Sequence, residues 1–207
     1  MKFNKKDLIF CIVTGFITGF SAWKIFDFLH VPHFHNLSHT WLLVIVPIVW
    51  IIGVNLGYFL GRWIVFFNQF GKFAAIGFTN AAVDLGVLNL LIALTGYASG
   101  SWFLAFKAIS FTSAVIPSYF WNKYWSFASD SRSYGGGFEF VKFIVVAAVG
   151  IFVNAGVASL VVNFVKPVLG LDAHAWANIG AVVGSAISLI FTFVGFKLAV
   201  FRGAKTD

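Results

Sequence analysis

Apolar residues in this chain run in stretches of about twenty, broken by short polar joints, with neither the two-residue alternation of a half-buried strand nor the one-sided stripe of a soluble helix. Six such stretches stand out, at about 8–29, 41–61, 73–95, 103–121, 143–165 and 175–196, each the length an α-helix needs to cross the hydrocarbon core of a bilayer. The pattern predicts an all-α integral membrane protein of six transmembrane helices in three hairpins. The first stretch follows Lys2, Lys5 and Lys6 as a cleaved signal would, but it is long for such a signal and no small-residue cleavage site follows, so it reads as a retained span.

The chain also repeats itself. Phe70-Gly-Lys72-Phe73 followed by Val83-Asp84-Leu-Gly86-Val87 returns as Phe140-Val-Lys142-Phe143 followed by Val153-Asn154-Ala-Gly156-Val157. In each copy a lysine opens an apolar run and an acid or its isosteric amide lies twelve residues further on, roughly 18 Å along a helix axis and near mid-bilayer. The repeats span 70–128 and 140–202, joined by the polar segment Asp130-Ser-Arg-Ser-Tyr-Gly-Gly-Gly137. Each holds an even number of spans, so both enter the membrane from one side, as parallel repeats. Residues 1–69 have no counterpart, and the predicted organisation is an extra N-terminal hairpin (1–69) followed by a four-helix domain (70–207) of two parallel helical-hairpin repeats. Gly15 and Gly19 on the first span and Gly53, Gly57 and Gly61 on the second permit close helix approach, either within the hairpin or across a homodimer seam.

Composition confirms the class. With 60% hydrophobic and 10% charged residues there is too little polar surface for a soluble domain. The net charge of +7 is carried by cations at the ends of apolar runs, not by a basic face, which argues against nucleic acid as a partner. Placing the N-terminus inside puts Lys2, Lys5, Lys6, Arg62, Lys72, Lys123, Arg132, Lys142, Lys197, Arg202 and Lys205 on the cytoplasmic side and leaves only Lys24 and Lys166 outside, so both termini are expected in the cytoplasm. Trp41, Trp63, Trp102, Trp125 and Trp176 fall at span ends, where an indole suits the membrane interface. The single Cys11 excludes an intramolecular disulfide.

Within the spans, Asp84 is the sharpest signal, because a carboxylate at mid-bilayer costs on the order of 3 kcal/mol. Asn80 lies one turn before it on the same face, and Asn154 holds the equivalent place on the fifth span. Antiparallel counting brings Lys107 of the fourth span to within about 6–9 Å of its depth. The two are expected to pair, as a structural tie, as an anion or proton site, or both. Asn178, Ala181, Ser185, Ser188, Thr192 and Gly195 form a small and polar stripe on the sixth span, echoed by Lys107, Ser110, Ala114, Ser118 and Trp121 on the fourth, a pattern that serves packing or transport. Pro117 is expected to break the fourth helix near its end. At that end stand Trp121, Asn122, Lys123 and Trp125, and with Lys72, Lys142 and Lys197 the lysines make a quartet at one level. Such a quartet follows from the positive-inside rule alone or forms a site for lipid phosphate. The loop holding His30, His33, His35 and His39 matches no standard metal-ligand spacing and is expected to be solvated, with no metal and no cofactor.

Lys72-Phe73, Asn80, Asp84, Lys107 and the exit Trp121-Asn122-Lys123-Tyr124-Trp125-Ser126-Phe127 together resemble the GtrA-like family of small polytopic membrane proteins, over about 70–202. The family's Asn-Lys-x-Trp-x-Phe signature is complete in Asn122, Lys123, Trp125 and Phe127; its second copy keeps Lys197 and Phe201 but has Phe196 and Ala199 in place of Asn and Trp. The resemblance implies translocation of a polyprenyl-phosphate-linked sugar across the bacterial cytoplasmic membrane for cell-surface polysaccharide synthesis. On that reading Lys72 and Lys123 collect the phosphate, Trp121 and Trp125 hold the sugar, Asn80, Asp84 and Asn154 accept hydroxyls, and Lys107 offers the next phosphate site; Asn122, Lys142, Asn178 and Lys197 complete the set. Two other readings compete: a non-transporting partner of a membrane glycosyltransferase, and a proton-coupled small-solute transporter with Asp84 as the titrating carrier. No nucleophile with its base and no phosphate-cradling loop marks an enzyme.

Overall fold

The computed structural model describes residues 2–33, 38–97, 99–128, 136–168 and 173–201. Their regular structure is entirely helical: α1 (Lys5–Phe28), α2 (Leu42–Leu60), α3 (Phe67–Thr95), α4 (Gly100–Trp121), α5 (Gly136–Phe164) and α6 (Ala173–Gly195). All six expected spans are present as helices long and apolar enough to cross a membrane. Large apolar side chains such as Ile12, Phe16, Ile52, Phe152 and Phe164 lie exposed along them, as they must where lipid is the solvent.

Local chemistry sets the ends. Asn4 and Asp7 form a reciprocal cap on α1, the Asn4 side chain accepting from the Asp7 N–H at 3.0 Å and the Asp7 carboxylate from the Asn4 N–H at 3.1 Å. A 3₁₀ turn, His39–Trp41, leads into α2. After α3, Gly96 adopts φ +76°, which closes the last turn through its N–H to the Ile92 carbonyl at 2.7 Å and which a side chain would strain. The expected break at Pro117 does not occur, and α4 runs through it. With no water to compete, a membrane helix loses one hydrogen bond at proline and continues. The irregularity comes five residues later, where α4 widens into a π-helical turn, Asn122–Ser126; α6 ends in the same way at Phe196–Val200.

The chain divides into two compact units, residues 1–128 with α1–α4 and residues 129–205 with α5 and α6. In the first, α1 packs on both α2 and α3, and α4 packs on α3. The N-terminal hairpin is thus held to the next one by buried residues of α1 that include Asp7, Thr14 and Thr18, while the buried Gly15 and Gly19 face α2. Thr18 donates across the seam to Thr79 of α3 at 2.9 Å. Each hydroxyl also bonds a carbonyl one turn back, which satisfies it without water.

Four of the five glycines singled out from the sequence are used inside the chain. A methyl at Gly15 would lie 2.5 Å from the Pro47 Cα, one at Gly19 would overlap the Leu42 carbonyl, one at Gly57 would lie 2.9 Å from the Phe67 carbonyl, and one at Gly61 would overlap the Asn68 side chain; only Gly53 faces open space. Gly19→Leu is therefore expected to lower stability by about 1–3 kcal/mol through backbone overlap. Gly53→Ala should be neutral or gain up to about 1 kcal/mol from helix propensity. Thermal unfolding of the two variants in one detergent checks the contrast.

In the second unit Ser185, Ser188, Thr192 and Gly195 of the stripe on α6 face α5. Ser188 donates to the Gly150 carbonyl at 2.6 Å, Asn154 to Ser185 at 3.3 Å, and Gly184 and Gly195 abut Asn154 and Val146. Trp176 donates to the carbonyls of Val161 and Val165 at the end of α5, at 3.3 and 3.0 Å. Of the five tryptophans expected at an interface, Trp41, Trp63 and Trp102 are exposed at helix ends, but Trp125 and Trp176 are buried. Their indole N–H groups serve acceptors inside the protein.

Candidate functional site

Midway along α3, Asp84 meets two donors from α4. The Lys107 ammonium donates to one carboxylate oxygen, and the Ser110 hydroxyl to the other at 2.6 Å. The pairing expected from antiparallel counting is present, joined by a serine one turn further along α4. The Lys107 side chain is 41% exposed and that of Asp84 20%, so the cluster opens from the hairpin and is not sealed within it. A turn before Asp84, the side-chain oxygen of Asn80 is buried with no hydrogen-bond partner among the described residues. Together these give one edge of unit 1 an accessible cation and carboxylate at membrane depth, with a buried, unused acceptor one turn away.

The opposite arrangement holds at the start of α3. Lys72 is buried and its ammonium lies 3.0 Å from Asp7 of α1. The same carboxylate accepts from the Tyr58 hydroxyl at 2.8 Å and from the Trp125 indole at 2.9 Å, and the indole stacks on Phe10 with ring centres 5.1 Å apart. Asn122 is also closed off, its amide donating to the Ser118 carbonyl at 2.8 Å. Lys72, Asn122 and Trp125, read from the sequence as substrate-facing, are thus built into the packing, because Asp7 supplies an anion and Phe10 a ring face from within the chain. Trp121 is half-buried beside this cluster. Asp7 escaped the sequence reading. The capping-box spacing Asn4-Lys-Lys-Asp7 was its one local signal, and that spacing points to a helix start, not to a partner on α3.

The ends of α4 and α6 share a local geometry. In the first, the Phe127 N–H reaches the Asn122 carbonyl at 2.9 Å; in the second, the Phe201 N–H reaches the Phe196 carbonyl at 2.8 Å. Phe73 and Phe127 stand 6.1 Å apart at 59°, Phe143 and Phe201 6.3 Å apart at 55°. Lys123 lies over the Tyr119 ring at 5.6 Å and Lys197 over Phe193 at 5.9 Å. Phe196, which replaces the signature asparagine, stacks on Phe143 at 4.4 Å. Lys142 lies over Phe138. Asn154 faces Ser185, while the side chain of Asn178 and the segment 129–135 lie outside the described residues.

Residues 72–202 match the GtrA/DPMS transmembrane-domain family. The chain belongs to this family. It is also 30% identical over 129 residues to the uncharacterized membrane protein YngA of Bacillus subtilis (strain 168), a match that covers 58% of this chain and 82% of that protein. No solved structure matches. The GtrA/DPMS region takes in Asp84, Lys107 and both π-helical ends, whereas α1, α2 and Asp7 lie outside it. The Asp7–Lys72 pair therefore joins an added hairpin to the first residue of the family region.

At the other end of α1, the histidine loop departs from the expected solvated state. His33 is exposed, but His39 is only 3% exposed, edge-on to Phe26 and to His33, and close to Asp27; His35 lies outside the described residues.

Proposed function

We propose that this protein acts in glycosyl-lipid metabolism at the bacterial cytoplasmic membrane, moving a polyprenyl-phosphate-linked sugar from the cytoplasmic to the outer leaflet for polysaccharide synthesis. Family membership supports the process. The observation that carries the translocation reading is the accessible Asp84–Lys107–Ser110 cluster beside the unpartnered Asn80 oxygen. A bilayer excludes an idle charge, and a passing lipid-linked sugar offers what the exposed groups lack: a phosphate for the remaining N–H groups of Lys107, and hydroxyls for Asp84. Both termini are then cytoplasmic, and the matched ends of α4 and α6 support two parallel repeats, each end setting a lysine over an aromatic ring, Lys123 over Tyr119 and Lys197 over Phe193. Within unit 1, the half-buried Trp121 stands beside Trp125, and the buried Lys72, Asn122, Lys123 and Trp125 hold that end of the helices in shape.

The chemistry asked of the protein is modest. No bond is made or broken; a charged headgroup is given successive polar partners, so that it never meets hydrocarbon alone. The test is leaflet exchange of a polyprenyl-phosphate sugar in proteoliposomes. Intact protein should exchange it, and Asp84→Asn and Lys107→Ala should each reduce exchange at least about tenfold, the effect of about 1.4 kcal/mol on a barrier. Folded intact protein that exchanges nothing would favour the second reading, a non-transporting partner of a membrane glycosyltransferase. Closure of Lys72, Asn122 and Trp125 inside unit 1 is the observation on that side.

A further inference from the structure

We propose that Asp27, His33 and His39 form a binding site for a divalent transition metal, with zinc as the expected occupant. The three residues converge from different elements: Asp27 from the last turn of α1, His33 from the connection that follows, and His39 from the 3₁₀ turn that opens α2. One ligand atom from each lies within 4.8 Å of the others. Two imidazoles and one carboxylate suit zinc, which takes N and O donors in tetrahedral geometry and leaves a fourth position for water.

The decisive feature is His39. It is 97% removed from solvent, yet its Nδ1 has no hydrogen-bond partner among the described residues and lies 3.6 Å from the Asp27 carboxylate. Burying a ring nitrogen without a partner is costly, and a metal between it and the carboxylate removes that cost. The spacing fits. Ligands bound at about 2.0–2.1 Å on a tetrahedral ion stand roughly 3.3 Å apart, so the His39–Asp27 edge needs almost no movement and His33, in an exposed connection, closes the rest. Phe26 packs against the His39 ring and holds its plane. Lys24, 3.8 Å from Asp27, is the competing cation; its side chain is half exposed and can turn to solvent when the metal enters. Such an ion would pin the end of α1 to the start of α2, bracing the hairpin at the end away from the Asp7–Lys72 pair.

The full-length protein, purified with a histidine-free tag, should bind one equivalent of Co²⁺ with the visible absorption of a tetrahedral site, and Zn²⁺ should displace it and raise the unfolding temperature. His33→Ala and Asp27→Asn should each weaken binding at least about tenfold, the loss that removing even an outer-shell partner can bring. His30→Ala and His35→Ala, which alter the same loop outside the triad, should leave it unchanged. His39 is buried, so His39→Ala is read only alongside the two exposed variants. Binding that is absent from the intact protein, or that falls equally in all four loop variants, would overturn the site.

Discussion

Asp7→Ala is expected to loosen the N-terminal hairpin from α3 and to lower stability by about 3–5 kcal/mol, the usual cost of leaving one member of a buried ion pair alone. Asp7 is 1% exposed and Lys72 7%, so solvent cannot substitute for the lost carboxylate. The Tyr58 hydroxyl and the Trp125 indole lose their acceptor at the same time. Lys72→Met should cost less, since the carboxylate keeps those two donors and the Asn4 N–H. The double variant Asp7→Ala/Lys72→Met should be more stable than Asp7→Ala alone, because no charge is then left buried, and the two effects should be clearly non-additive. Trp125→Phe keeps the stacking on Phe10 and removes one donor, for about 1–3 kcal/mol. Denaturant or thermal unfolding in a single detergent measures all four. An Asp7→Ala protein within about 0.5 kcal/mol of the parent would show that the pair does not hold the hairpin.

The spans were legible because lipid fixes helix length, and the Asp84–Lys107 pair because two charges in one short hairpin have few other partners. α3 still begins at Phe67, six residues before the apolar run suggested, since Asn68 and Gln69 are buried against neighbouring residues and not left in an aqueous loop. What could not be read was long-range closure. Asp7 meets Lys72 and Trp125 across 65 and 118 positions, and a tryptophan at a span end looks the same whether its ring lies in lipid headgroups or on a phenylalanine. The polar stripe on α6 had the same ambiguity, and Ser188 on the Gly150 carbonyl shows it used for packing. For the histidine loop, spacing along the chain was the wrong test. Asp27 and His39 lie twelve positions apart on two elements, and only folding brings them to 3.6 Å.

Lys107→Met is expected to be the more damaging half of the mid-membrane pair, lowering stability by about 2.5–3.5 kcal/mol, the cost of an aspartate at the centre of a membrane helix. Asp84 lies eleven residues from the end of α3, about 16 Å, and its short side chain has Ser110 as its remaining donor. Asp84→Asn should cost less. Lys107 lies seven residues into α4, about 10 Å, is 41% exposed, and can extend its ammonium toward the headgroups. In Asp84→Asn/Lys107→Met neither charge remains, so stability should return close to the parent value. Leaflet exchange should not return with it, because the phosphate then has no cation and the sugar no carboxylate at that depth. This pair of readouts separates the two roles that the geometry combines. Recovery of both stability and exchange in the double variant would make the pair a structural tie alone and move the route elsewhere. Recovery of stability with exchange still lost would leave the charges needed for passage and not for folding.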